Sequence, residues 1–116
     1  MKVVFDTNFL ISCLKFKIYF LEELEGNELF IIDKTEDELK KLIKGGKTQD
    51  KQRAAIILAL IDKKNIKKLK SKKEETVDDA LARLNNYVIA TQDKELKTRI
   101  KGKKLIIRAK KKLEIR

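Results

Sequence analysis

The sequence predicts an α/β domain whose central sheet is parallel, holds about five strands and is covered on both faces by helices. Three observations predict it. Short apolar, β-branched runs alternate with apolar patterns at helical spacing along the whole chain. The runs are continuous rather than alternating, as in strands buried on both faces. The 116 residues contain no proline, no Gly/Ser-rich linker and no repeat, so one core is expected and residues 1–116 read as a single domain.

The strand-like segments are Lys2–Phe5, Glu28–Ile32, Ile66–Leu69, Tyr87–Ala90 and Lys104–Arg108. Ile66-Lys67-Lys68-Leu69 is the most polar and suits a sheet edge, where lysines discourage further pairing. Between the strands, Leu10, Cys13, Leu14, Tyr19, Leu21 and Leu24 mark one or two helices. A helix over 35–43 carries Leu39, Leu42 and Ile43, and Gly45-Gly46 stops it. Ala54, Ile57, Leu58 and Ile61 define the longest helix, over 49–64. Val77, Ala80, Leu81 and Leu84 give another, and Leu96 with Ile100 the last, ended by Gly102. Strands alternating with helices imply right-handed βαβ crossovers.

The charge balance is 29 basic against 18 acidic residues, a net +11. So strong a field on so small a body favours a polyanionic partner, nucleic acid first. No long amphipathic helix with Trp or Phe on its apolar face is evident, so no membrane partner is expected. Charged residues form 41% of the chain, rich in Lys and Glu with abundant Ile, a bias that also suits a hyperthermophile. Met1-Lys2-Val3 leads into a strand without a signal-peptide pattern, so a cytoplasmic protein is expected. There is no histidine and Cys13 stands alone, which excludes His-dependent catalysis, Cys-His pairs, CxxC sites and an internal disulfide. Chemistry is left to carboxylates, hydroxyls, lysines or a hard cation on oxygen ligands.

Four carboxylates stand in equivalent places: Asp6, Glu38, Asp79 and Asp93 each follow a strand-like run, at or near a helix start. Singly, each has a structural explanation. Asp6 and Asp93 can cap the following helices, Thr35-Glu36-Asp37-Glu38 has capping-box spacing, and Asp79 complements a helix dipole. Together they fall at the carboxyl edge of a parallel sheet, where open α/β folds bind ligands. Like charges gathered there call for a divalent cation, which suits phosphate ester chemistry.

The segments around these acids resemble PIN domains. Val3-Val4-Phe5-Asp6-Thr7-Asn8-Phe9-Leu10-Ile11 resembles the family's opening strand and first acid. Glu38-Leu39-Lys40-Lys41-Leu42 is similar to its second acid on a helix. Val77-Asp78-Asp79-Ala80-Leu81 and the run from Tyr87 through Ala90-Thr91-Gln92-Asp93 to Lys97 resemble the third and fourth. That last run, continued to Arg99-Ile100-Lys101, is most similar to the PIN nucleases of ribosome biogenesis in archaea and eukaryotes. Toxin PIN ribonucleases commonly place Ala and an apolar run after the third acid, which assigns that role to Asp79 rather than Asp78.

The resemblance covers nearly the whole chain and implies a three-layer α/β/α PIN-like fold. It implies an Mg²⁺- or Mn²⁺-dependent endoribonuclease. Asp6, Glu38, Asp79 and Asp93 would be its catalytic, metal-binding set, supported by Thr7, Asn8, Asp78 and Thr91. RNA, single-stranded or structured, is the implied substrate. Precursor ribosomal RNA processing beside ribosome-assembly factors is one setting. A toxin held by an antitoxin is another, and a catalytically weak RNA-binding module a third.

Among the basic residues, Lys97, Arg99 and Lys101 follow the fourth acid and are expected on the RNA, with Arg108 from a second basic run. Phe5, Phe16, Phe20 and Phe30 read as core, Phe9 and Tyr19 as core or base-stacking, Cys13 as a small core residue. The run Arg108–Arg116 is open to three readings: extending the sheet, forming a homodimer or binding RNA.

Overall fold

In a computed structural model, which describes all 116 residues, the chain forms a six-stranded sheet with helices on both faces. The elements in order are β1 (Lys2–Phe5), α1 (Thr7–Lys15), α2 (Phe20–Glu23), β2 (Glu28–Ile32), α3 (Asp33–Gly45), α4 (Thr48–Lys63), β3 (Lys67–Leu69), α5 (Val77–Arg83), β4 (Val88–Ala90), α6 (Lys94–Arg99), β5 (Lys104–Arg108) and β6 (Lys112–Ile115). Strand order is β3-β2-β1-β4-β5-β6. The first five pair in parallel, and β6 pairs antiparallel with β5. The expected parallel strands are therefore present, with β3 at an edge, and a sixth strand is added at the other edge.

The continuous apolar runs are explained by two cores. Along β1, Val3 and Phe5 face a core shared with Phe9, Leu10 and Cys13 of α1, Leu39 of α3, and Ala54, Ile57 and Ile61 of α4. Val4 faces the opposite core, built with Val77, Ala80 and Leu81 of α5 and Leu96 of α6. A strand covered on both sides needs apolar residues at every position, and β1 has them. Phe5 meets Phe9 and Phe20 with ring centroids 5.9 and 5.4 Å apart, so Phe9 belongs to the core and not to a base-stacking surface. Tyr19 stays exposed. Cys13 is fully buried, which pushes its thiol up to about 12 and leaves it inert.

The connections position the site. From β1 the chain steps outward through β2 to β3, then returns to lay β4 against the other side of β1. Connections after β1 and β4 thus leave in opposite directions and open a crevice at their carboxyl ends. Asp6 and Thr91 follow those two strands directly. No helix is long and apolar enough to cross a membrane.

Candidate active site

A cleft of about 610 Å³ opens at this crevice. Asp6, Glu38, Asp78 and Asp93 line it, with Thr7, Asn8, Lys41, Leu42, Gly45 and Gly46. Leu42 is its only apolar residue.

Asp6 follows β1 and occupies the N-cap position of α1, yet its side chain caps nothing. Instead Oδ2 accepts the Thr91 hydroxyl at 2.8 Å, while the Asp6 amide donates to the Ala90 carbonyl and prolongs the β1–β4 ladder. Asp6 is 6% exposed, and its carboxyl pKa is raised to about 6. Desolvation is the main cause, and the charges of Asp78, Glu38 and Asp93 add to it against the opposing Thr91 bond. Thr91 also accepts the Asp93 amide at 3.1 Å, so one hydroxyl ties the first acid to the backbone of the fourth. Asp93 caps α6, accepting the Leu96 amide at 2.9 Å through Oδ1.

Glu38 overturns its simple structural explanation. Because α3 begins at Asp33, directly after β2, Thr35 lies inside the helix and is fully buried, and no capping box forms. The Glu38 carboxylate accepts instead the hydroxyl of Thr7, whose oxygen lies 3.3 Å from that of Thr35. Gly46 closes α3 at the rim of the cleft. A Cβ there would stand 2.6 Å from the Leu42 carbonyl oxygen, to which the Gly46 amide donates at 2.8 Å.

The third position departs from the sequence expectation. Asp78 lines the cleft, whereas Asp79 does not. Thr76 caps α5 by accepting the Asp79 amide, and Val77, Ala80 and Leu81 turn inward onto the sheet. Neighbours on a helix diverge by about 100°, so only one of the two aspartates can face the cleft. Asp79 points to Arg99 of α6, at 2.8 Å, and that hydrogen bond holds its carboxyl below the usual range. Asp78 keeps an exposed side, but partial desolvation and then the charge of Asp93 push its carboxyl upward. Arg99 is therefore occupied by an acid rather than free, as is Arg108, paired with Glu114 at 3.0 Å. Lys97 is half-buried and Lys101 exposed.

Sequence reasoning passed over three contributors. Lys41 lines the cleft, although it reads as one lysine among many. Gln92 joins the last turn of the site to β5: its side chain donates to the Ile107 carbonyl at 3.1 Å and accepts the Ile107 amide at 2.7 Å. It thereby continues the ladder beyond Ala90 and fixes the backbone before Asp93. Lys34 binds the carbonyls of Lys72, Lys73 and Glu75, holding the segment that leads to α5 and Asp78. A lone Gln or Lys carries no spacing signal.

The family model of the PIN-like domain matches residues 3–112. The chain belongs to this family. As a PIN-like domain it is 36% identical over 126 residues to Ribonuclease VapC4 of Methanocaldococcus jannaschii, the alignment covering 98% of this chain and 95% of that protein. Its fold is similar to that of the PIN domain endonuclease Utp24, with a TM-score of 0.78 and 28% identity over 98% of this chain and 90% of that one.

The chemistry of the lining suits a divalent ion. The donors are all oxygens, as hard cations require. One oxygen each of Asp6, Glu38 and Asp93 makes no hydrogen bond, and Asp78 makes none at all. No buried side-chain oxygen lacks a partner, so the uncommitted oxygen of Asp6 is open to the cleft. The donor set therefore fits. Asp6, Glu38 and Asp93 are each engaged with a hydroxyl or an amide, and no three of the acids are grouped as a metal cage.

Proposed function

We propose that this PIN-like domain is a metal-dependent endoribonuclease, hydrolysing phosphodiester bonds at the cleft formed by Asp6, Glu38, Asp78 and Asp93. The observation that carries the reading is the meeting of four carboxylates from four separate segments in one polar cleft, on a chain of net charge +11. Relatives that are a ribonuclease and an endonuclease support it. The raised pKa of Asp6 is consistent with it: burial is the main cause, repulsion from Asp78, Glu38 and Asp93 adds to it, and a cation held beside the carboxylate would oppose both.

Those four acids would hold Mg²⁺ or Mn²⁺. Bound there, the ion would neutralise carboxylates and scissile phosphate together and make water more acidic. The remaining work belongs to the chain. Thr91 fixes the rotamer of Asp6, and Thr7 orients Glu38. Asn8, exposed at the cleft, offers an amide to the phosphate or to water. A water oxygen would bond to phosphorus as the bond to the ribose oxygen breaks, the water's proton passing to solvent and the leaving oxygen taking one from solvent, and with no histidine in the chain no imidazole takes part.

All four acids share the cleft, which favours turnover over a binding-only role. Processing of precursor ribosomal RNA and restraint by an antitoxin are the finer readings. Ribosome-assembly genes beside this one would favour the first, and an antitoxin gene the second. The deciding assay incubates purified protein with structured RNA in Mn²⁺ or EDTA, wild type beside Asp6→Asn. Cleavage by wild type in Mn²⁺ alone, lost in the variant, is expected. No cleavage, or equal cleavage by the variant, overturns the proposal.

A further inference from the structure

We infer that Lys41 is a substrate-binding residue whose ammonium takes a phosphate of the RNA strand lying in the cleft. The inference rests on the ribonuclease reading and assigns a residue that the acid pattern does not include. A strand entering this cleft meets four carboxylates. Ions held by those acids would serve the bond being cut, but phosphates on either side of it remain close to uncompensated negative charge. Lys41 is the one cationic residue of the lining.

Two features fit it for that work. It lies three residues beyond Glu38, on the same face of α3 and one turn further along, beside the glycine-bordered end of the cleft. It is also unspent. Arg99 is committed to Asp79 and Lys68 to Glu36, and Lys34 to three backbone carbonyls, but Lys41 forms neither an ion pair nor a hydrogen bond. A flexible, strongly hydrated ammonium without a partner exchanges water for phosphate without first breaking a protein contact. Lys41 thus serves affinity and placement of the strand, while the acids serve the chemistry.

The test is binding of a fluorescent single-stranded oligoribonucleotide in EDTA, which prevents turnover, followed by anisotropy across a salt series. Wild type is compared with Lys41→Ala, Lys41→Arg and Lys40→Ala, the last being an exposed lysine on the same helix outside the cleft. Lys41→Ala should weaken binding about fivefold and lower the slope of log K against log salt by about 0.7, one single-strand phosphate contact. Lys41→Arg should restore both, and Lys40→Ala should change neither. Melting temperatures check that every variant is folded.

Wild-type affinity and slope in Lys41→Ala, or equal losses in Lys40→Ala, overturn the inference; so does absence of RNA binding by wild type. Cleavage in Mn²⁺, read separately, keeps the two questions apart. Cleavage with Lys41-independent binding refutes the lysine and leaves the nuclease. Lys41-dependent binding without cleavage supports the lysine and refutes the nuclease.

Discussion

The Thr91 hydroxyl donates to Asp6 Oδ2 at 2.8 Å, joining residues 85 positions apart where β1 and β4 end side by side. Both residues are buried, so the bond is shielded from water. The same oxygen accepts the Asp93 amide. Replacing the hydroxyl by a methyl should therefore act on two acids at once. Thr91→Val is expected to raise the Asp6 pKa further and to cost about 1–3 kcal/mol at neutral pH, since a buried acceptor loses its donor. Carboxyl titration by NMR and urea unfolding check the two effects, and an unchanged Asp6 pKa would refute the link.

The pH dependence follows with its sign. The Asp6 carboxyl titrates at about 6 in the fold against an ordinary 3.8. Between those values the folded state keeps a proton that the unfolded chain has released. Stability from this group is full below about pH 4 and is lost as pH rises through about 6. Ionised Asp6 thus costs the metal-free fold on the order of 2–3 kcal/mol at pH 7. Asp6→Asn should be more stable than wild type at pH 7 by such an amount and equal to it below pH 4. Urea midpoints at the two pH values decide, and a gain independent of pH would reject the account.

A divalent ion should reverse that cost. Mn²⁺ selective for the folded site stabilises it by about 2.7 kcal/mol at a hundred times its dissociation constant. For a chain of this size, at roughly 4 °C per kcal/mol near the midpoint, that raises the melting temperature by about 10 °C. EDTA should abolish the rise, Asp6→Asn should remove most of it, and pH 5 should shrink it because a proton competes at Asp6. A melting temperature indifferent to millimolar Mn²⁺ would speak against a working site.

Much of this arrangement was legible in the chain because strand runs and acids share one register. An apolar run followed by Asp6 or Asp93 places each acid at the carboxyl edge of the sheet, and Glu38 follows β2 by under two helical turns. Sequence could not settle the choice between Asp78 and Asp79, because both lie in the first turn of α5 and the phase of that helix is set by its Thr76 cap and its packing. Glu38 reads as a site acid with a capping box as its structural alternative, and that alternative fails because Thr35 begins no helix when α3 runs on directly from β2. Sheet extension is one of three readings of Arg108–Arg116, and sequence could not choose it because the turn lacks Asn-Gly chemistry.

The two aspartates can be told apart experimentally. Asp78→Asn should keep the fold and lose cleavage, because its carboxylate lines the cleft. Asp79→Asn should cleave at a rate near wild type, its partner being Arg99 on an exposed surface, with little change in stability. Single-turnover rates on one RNA substrate give the comparison. Loss of activity in Asp79→Asn with Asp78→Asn active would restore the original assignment.

The turn between β5 and β6 holds Ala109 at φ 53° and Lys110 at φ 57°, with the Lys111 amide donating to the Arg108 carbonyl at 3.1 Å. Two consecutive left-handed residues open a three-residue connection between Arg108 and Lys112, and such positions favour Asn and Gly. Residues carrying Cβ pay roughly 1 kcal/mol each for that conformation. Lys110 has a compensating contact, its ammonium 5.9 Å from the Phe16 ring centre, but Ala109 has no polar side chain with which to support the turn. Ala109→Asn should therefore stabilise the fold by about 0.5–1 kcal/mol, raising the urea midpoint at unchanged slope. RNA cleavage should be unaffected, since the turn lies outside the lining of the cleft. A lower midpoint would show that this edge hairpin does not hold the left-handed turn in solution.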